Sequence, residues 1–259
     1  MPLPLFLFMT LVAQAETNAP PADSTPATPP VQASAAIPDL KEVAPGILEY
    51  HGVRLDKKNQ RISFPAVVNQ REGLIEYALV NVKGKTHESL FSTKLMPRDI
   101  HLGMILIGYK EDASANSKEH VPPTAIDSAY LQSAPRLKGP DVSLTVSWTI
   151  AGQKKEVPIE DCILNLQTNK PMAPGAWTYN GSMIEDGAFL ADQELSIFAV
   201  ITDPTTLVNN PRPGYDNDEI WQLRPEVVPA LDTPVEINIT LLPPASATPE
   251  AQPSKSSSP

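Results

Sequence analysis

Val142, Leu144, Val146 and Trp148 alternate with Ser143, Thr145 and Ser147. An apolar residue at every second position makes one face of a strand apolar, so 141–150 predicts a half-buried strand. Gly152 then turns the chain into "KKEVPI". The same alternation runs through Val53 and Leu55, then Ile62 and Phe64, and predicts two short strands around the turn Asp56–Asn59. In 73–93, Ile75, Tyr77 and Leu79 share one face, and Leu74, Glu76 and Ala78 the other. Lys83-Gly84-Lys85 predicts a hairpin turn there, with glycine free to take a positive φ. "GAWTYNGSMI", "FLADQELSIFAVI" and "PVEINITLL" complete the predicted strands.

One segment follows a different period. In "MPRDIHLGMILIGY", Ile100, Met104 and Ile107 recur at helical spacing, and Ile105 and Leu106 widen the stripe. Pro97 suits a first helical position, Asp99 complements the positive end of the dipole, and Gly108 suits a stop. The predicted class is α+β: predominantly antiparallel β, as a sheet or sandwich, with one packed apolar helix near 97–107.

The ends of the chain carry no such patterning. Residues 1–15 hold a short apolar run, Leu5 to Val12, closed by Ala13-Gln14-Ala15. This small-x-small ending predicts a signal peptide cleaved near Ala15, although no Lys or Arg precedes the run. The run is too short to span a bilayer. Residues 16–37 and 244–259 are rich in Pro, Ala, Ser and Thr, and their composition predicts disorder. Between them, 38–243 is expected to fold as one β-rich domain. The polar, proline-broken stretch 111–141 is a surface excursion with a helical turn near Ala125–Leu131.

Charge narrows the function classes. Twenty basic against thirty acidic residues give a net charge of −10. Such a chain repels phosphate backbones and anionic headgroups, which argues against nucleic acid and lipid surfaces as partners. The single cysteine, Cys162, excludes an internal disulfide, a four-cysteine zinc site and an iron–sulfur cluster. Its apolar neighbours predict a buried, inert thiol.

The stretch "VRLDKKNQRISFPAVVNQREGLIEYALVNVKGKTHESLFST", followed by "IHLGMILIG", resembles the YdjY-domain family of bacterial exported proteins. "IEDCILN", "GAWTYNGS" and "DPTTLVNNP" extend the resemblance over most of 52–242. It implies no particular activity. A ferredoxin-like label on some relatives needs four nearby cysteines and does not carry over to this chain. Cys162 stands where the resemblance leads one to expect tryptophan.

Candidate chemistry centres on "THES". On a strand, His87 and Ser89 would point together and Glu88 away, so the three cannot form a triad among themselves. No G-x-S-x-G elbow, phosphate loop or dinucleotide fingerprint occurs, and no catalytic residue is assigned. His87, Glu88 and Ser89 are candidate ligand-binding residues, with Trp177 and Tyr179 as stacking platforms or, alternatively, core. His87 and His101 are a candidate metal pair, with Glu76, Glu88 or Asp99 supplying oxygen. Asp216, Asp218 and Glu219 lack the spacing of a calcium loop. The expected function is an exported, non-catalytic binding or structural module of the envelope, without a resident cofactor, whose partner is an envelope protein or a small ligand. The alternatives are a periplasmic metal-binding protein using His87 and His101, and an enzyme whose site is unrecognised.

Overall fold

The computed structural model describes residues 39–110 and 137–244. The expected signal peptide, the linker 16–37, the turn near 125–131 and residues 245–259 of the tail lie outside them. The chain divides at Ile37–Pro38, and every described residue falls in the second unit.

Two hairpins open that unit. β1 (Lys41–Ala44) pairs with β2 (Ile47–Tyr50), and β2 with β3 (Val53–Asp56). β3 turns at Asp56–Asn59, where the Asp56 carboxylate accepts the Asn59 amide at 3.1 Å, into β4 (Arg61–Val68). β4 changes neighbour along its length. Arg61 to Ser63 face β3, whereas Val67 and Val68 face β6 (Ser89–Thr93). Pro65 sits between the two stretches, where a missing N–H is tolerated.

β7 (Asp141–Ile150) does the same. Its last six residues pair with β8 (Gln153–Pro158) across a turn in which Ala151 and Gly152 both have positive φ. Its first two pair with β11 (Trp177–Tyr179). β17 (Pro234–Leu241) lies between β4 and β7 and is antiparallel to both.

From β7 the sheet continues through β11, β15 (Val208–Asn209), β14 (Ser196–Ala199) and β5 (Tyr77–Asn81) to β6, and β6 closes on β4. Eight strands therefore form a closed ring, with β3, β2 and β1 extending beyond β4 and β8 beyond β7. The fold is mostly β, as expected, but it is a barrel rather than an open sheet or sandwich. Strands of two to four residues, β11, β15 and β14, which leave little periodicity to read, make the closure. A side sheet of β9 (Ile163–Asn165), β10 (Lys170–Pro171) and β16 (Trp221–Leu223) and a two-stranded pair, β12 (Ile184–Glu185) and β13 (Ala188–Phe189), complete the strands.

The expected hairpin over 73–93 is overturned. β5 and β6 are parallel neighbours, Tyr77 opposite Ser89 and Asn81 opposite Thr93. Residues 82–88 carry the chain back, and Thr86–Glu88 form a 3-10 turn rather than a strand. Gly84 does not use positive φ there. A Cβ on it would lie 2.8 Å from the Leu195 carbonyl oxygen and 3.2 Å from that of Asn81. Close backbone approach, not turn handedness, requires glycine.

The expected helix is α1 (Pro97–Ile107), with Pro97 in its first turn and Gly108 as a left-handed cap at φ 118°. Ile100, Met104 and Ile107 are buried, but Ile105 is 45% exposed, so the stripe is narrower than predicted. Gly103 brings α1 onto the sheet; its Cβ position lies 2.9 Å from Val53 and 3.3 Å from Leu55. A second helix, α2 (Leu190–Glu194), replaces the start of a predicted strand.

Val53, Leu55, Ile62, Phe64, Leu144, Val146, Ile237 and Ile239 fill the inner face, each at most 2% exposed. Burying one such large side chain contributes about 1.5–3 kcal/mol. No described helix is long and apolar enough to cross a membrane.

Gly84→Ala is expected to destabilise the protein by about 1–3 kcal/mol, because the obstructing atoms include backbone. Thermal unfolding of the variant checks this; an unchanged midpoint would mean that the crossover yields without cost.

Candidate functional site

The predicted "THES" residues separate. His87 sits in the 3-10 turn with its side chain 79% exposed, 3.6 Å from the Glu88 carboxylate. Ser89 opens β6 fully buried, and its hydroxyl donates to the Lys85 carbonyl at 2.6 Å. His87 and Ser89 therefore do not share the face that a strand would have given them.

His101 lies in α1. Its Nδ1 is 2.9 Å from the Tyr179 hydroxyl, and its ring packs among Tyr109, Tyr179 and Phe189. The two histidines thus take different partners. Among the described residues, no group of three or more His, Cys, Asp or Glu side chains is placed to hold a metal ion.

Trp177 and Tyr179 are fully buried. The Trp177 indole donates to Glu160 at 3.1 Å, and the Arg212 guanidinium stacks 5.1 Å above its ring. Arg212 meets Glu160 at 3.4 Å, with each side chain under a tenth exposed, and donates to the Ala173 and Gly175 carbonyls. Burial pulls the Arg212 pKa down, while Glu160 opposes that shift. Beside them Cys162 is buried, as expected, and burial pushes its thiol up to about 12.

A second polar cluster lies where β5 begins. Lys85 donates to the Tyr77 hydroxyl at 2.7 Å, and Tyr77 to Asp203 at 2.9 Å. Burial, then the Asp203 charge, raises the Tyr77 pKa and keeps the phenol protonated. Asp203 also accepts from the Thr205 amide and hydroxyl. Next to Tyr77, the Glu76 carboxyl is raised by burial first, then by Glu88, Asp218 and Asp203, with Lys85 opposing.

A concave surface lies elsewhere. The outer face of β8-β7-β17-β4-β3-β2 forms a trough of about 800 Å³. Its floor is Arg54, Arg61, Ser63, Glu236 and Asn238; one wall is Lys154 and Glu156, and the other is Val43, Ala44 and Ile47. Neighbouring strands are spaced about 4.8 Å apart and residues about 3.3 Å along a strand, so Arg61 and Glu156, three spacings apart and four residues out of register, would lie roughly 20 Å apart in a flat sheet, beyond the reach of their side chains. Arg61 on β4 nevertheless meets Glu156 on β8 at 3.0 Å. Arg54 on β3 reaches Glu236 on β17 at 3.4 Å, and Lys154 reaches the other Glu236 oxygen at 3.0 Å. Arg61 Nε also donates to Asn238, and Thr145 to Glu156. Desolvation raises the Glu156 pKa, but the Thr145 hydroxyl and the Arg61 and Lys154 charges outweigh it and hold the carboxyl below its ordinary value.

A family model, the YdjY domain, matches residues 53–240. This chain belongs to the YdjY domain family. No curated protein and no solved structure matches it. The YdjY match opens at β3 and ends within β17, so the trough floor and the β8 wall lie inside it. The β1–β2 wall lies before it. The alternation of Leu55, Ile62 and Phe64 with polar residues implies that Arg54, Arg61 and Ser63 share the opposite face. It carries no signal that this polar face is concave.

Arg212→Ala is expected to cost about 3–5 kcal/mol, because it leaves Glu160 buried without its cation; chemical denaturation measures this, and a loss below 1 kcal/mol would mean that Glu160 is solvated. Glu76→Gln is expected to stabilise the protein at neutral pH. A carboxyl whose native pKa is raised disfavours the folded state once ionised, and the penalty disappears as pH falls below the unfolded value of 4.5. Unfolding midpoints at pH 7 and pH 4 should show a gain at the first and none at the second.

Proposed function

We propose that this chain is an exported, non-catalytic binding module of the bacterial envelope and takes its ligand in the trough. The carrying observation is the Arg61–Glu156 pair, which ties β4 to β8 across two intervening strands. It spans the concavity of the polar face and engages Arg61 and Glu156 with each other before any ligand arrives. Prior ordering of this kind reduces the entropy lost on binding.

Support for binding rather than catalysis comes from what the polar groups already do. The Ser89 hydroxyl is bonded to a backbone carbonyl, His87 lies out beside Glu88, and the trough cations and carboxylates bond one another. None of these arrangements sets a nucleophile against a base. Support for export is the apolar run closed by Ala13-Gln14-Ala15.

A photo-crosslinking residue placed at Ile47, in the trough wall, tests the reading in cells; one at Ile184, 73% exposed on another strand pair, is the control. Adducts are expected from position 47 and not from 184. Absence of adducts at 47, or equal labelling at both, would refute a ligand in the trough.

A further inference from the structure

The charge pattern of the trough points to the chemistry of its ligand. Arg54, Arg61 and Lys154 each stand within 4 Å of a carboxylate, from Glu49, Glu156 or Glu236. A charged ligand drawn to one member of such a pair is repelled by the other. A neutral ligand that both donates and accepts engages the two together.

Both members keep unused capacity. Arg61 commits Nε to Asn238 and Nη2 to Glu156, and Arg54 directs Nη1 to Glu236. A guanidinium has five N–H donors and a carboxylate about four acceptor sites. Uncommitted N–H groups therefore stand beside uncommitted lone pairs. Two hydroxyls on adjacent carbons present the matching donor and acceptor.

An independent observation comes from β7. Ser147 is 2% exposed, yet its hydroxyl has no hydrogen-bond partner. Register sets it opposite Glu236 on one side and Glu156 on the other, and alternation puts it on the same face as Thr145, which bonds Glu156. A buried hydroxyl left unsatisfied costs about 1–3 kcal/mol. The half-exposed Lys154 side chain spans this strand to reach Glu236, so a ligand reaches Ser147 only where Lys154 gives way.

We propose that the trough binds a neutral, polyhydroxylated chain, a glycan strand, across the Arg61–Glu156 pair and beside Glu236, with Lys154 moved aside and Ser147 as an additional contact. This rests on the trough being the ligand site. An extended peptide fits less well. Its N–H and C=O groups project sideways along a strand and seek sheet edges, whereas this floor offers side chains.

Chitotetraose, cellotetraose and maltotetraose titrated into the full chain by calorimetry are the probes. Saturable binding of at least one is expected, little changed by salt because the ligand is neutral. Arg61→Gln should weaken it about tenfold, the loss of one charged hydrogen bond. Ser147→Ala separates binding from folding: it should weaken affinity while leaving the unfolding midpoint unchanged or raised. No binding of any tetrasaccharide at millimolar concentration overturns the glycan assignment, and so does tighter, salt-sensitive binding of a heparin hexasaccharide. Crosslinks from position 47 without tetrasaccharide binding refute the glycan and retain the trough; an adduct on a polypeptide would then identify the other class.

Discussion

The β17 ladder is the constraint on which the other elements depend. β17 pairs along nearly its whole length with β4 on one side and β7 on the other. Both neighbours then part from their second partners midway. At the Leu241 end of β17, β7 leads into the closed ring and β4 outward to β3; at the Pro234 end, β4 leads into the ring and β7 outward to β8. One continuous ladder thus serves two curvatures. The ring encloses an apolar interior, and the outward strands turn a polar face into the trough. Removing β17 would leave both halves without a common edge.

The trough differs from surface ion pairs that contribute little. An isolated exposed pair typically adds 0–1 kcal/mol. Here Glu236 is shared by Arg54 and Lys154, and Arg61 joins Asn238 to Glu156. Linked pairs of this kind tie β3, β4, β17 and β8 together across the trough. The acidic end of their range follows from Glu156. Its carboxyl is held below the ordinary value of 4.5, so its stabilising contribution is present above that pH and is lost as pH falls through the lowered native value.

Alternation made the long strands legible. Val142 to Trp148 and Val53 to Phe64 are buried on the expected face, and Pro97 and Gly108 bound the helix as expected. The ring closure was not legible, because β11, β14 and β15 are too short to establish a period. The hairpin reading of 73–93 failed for a physical reason: all five residues of β5 are buried, so no polar face marked its direction. The "THES" residues misled because a 3-10 turn does not alternate. The trough residues were visible one strand at a time as outward polar positions. Their meeting across two intervening strands depends on curvature, which a linear pattern does not encode. Trp177 was legible as an aromatic in a strand, but not its bond to Glu160, which comes from a 3-10 turn fifteen residues or more upstream.

The position of β17 in the chain has a temporal consequence. The strand at the centre of the sheet is the last of the described strands to be made. β4 and β7 wait for residues 234–241 before they share an edge, so the ring and the trough form only after nearly the whole chain is available. Pairing between distant segments is slow to nucleate. A polypeptide built this way completes its tertiary structure only when that late strand arrives.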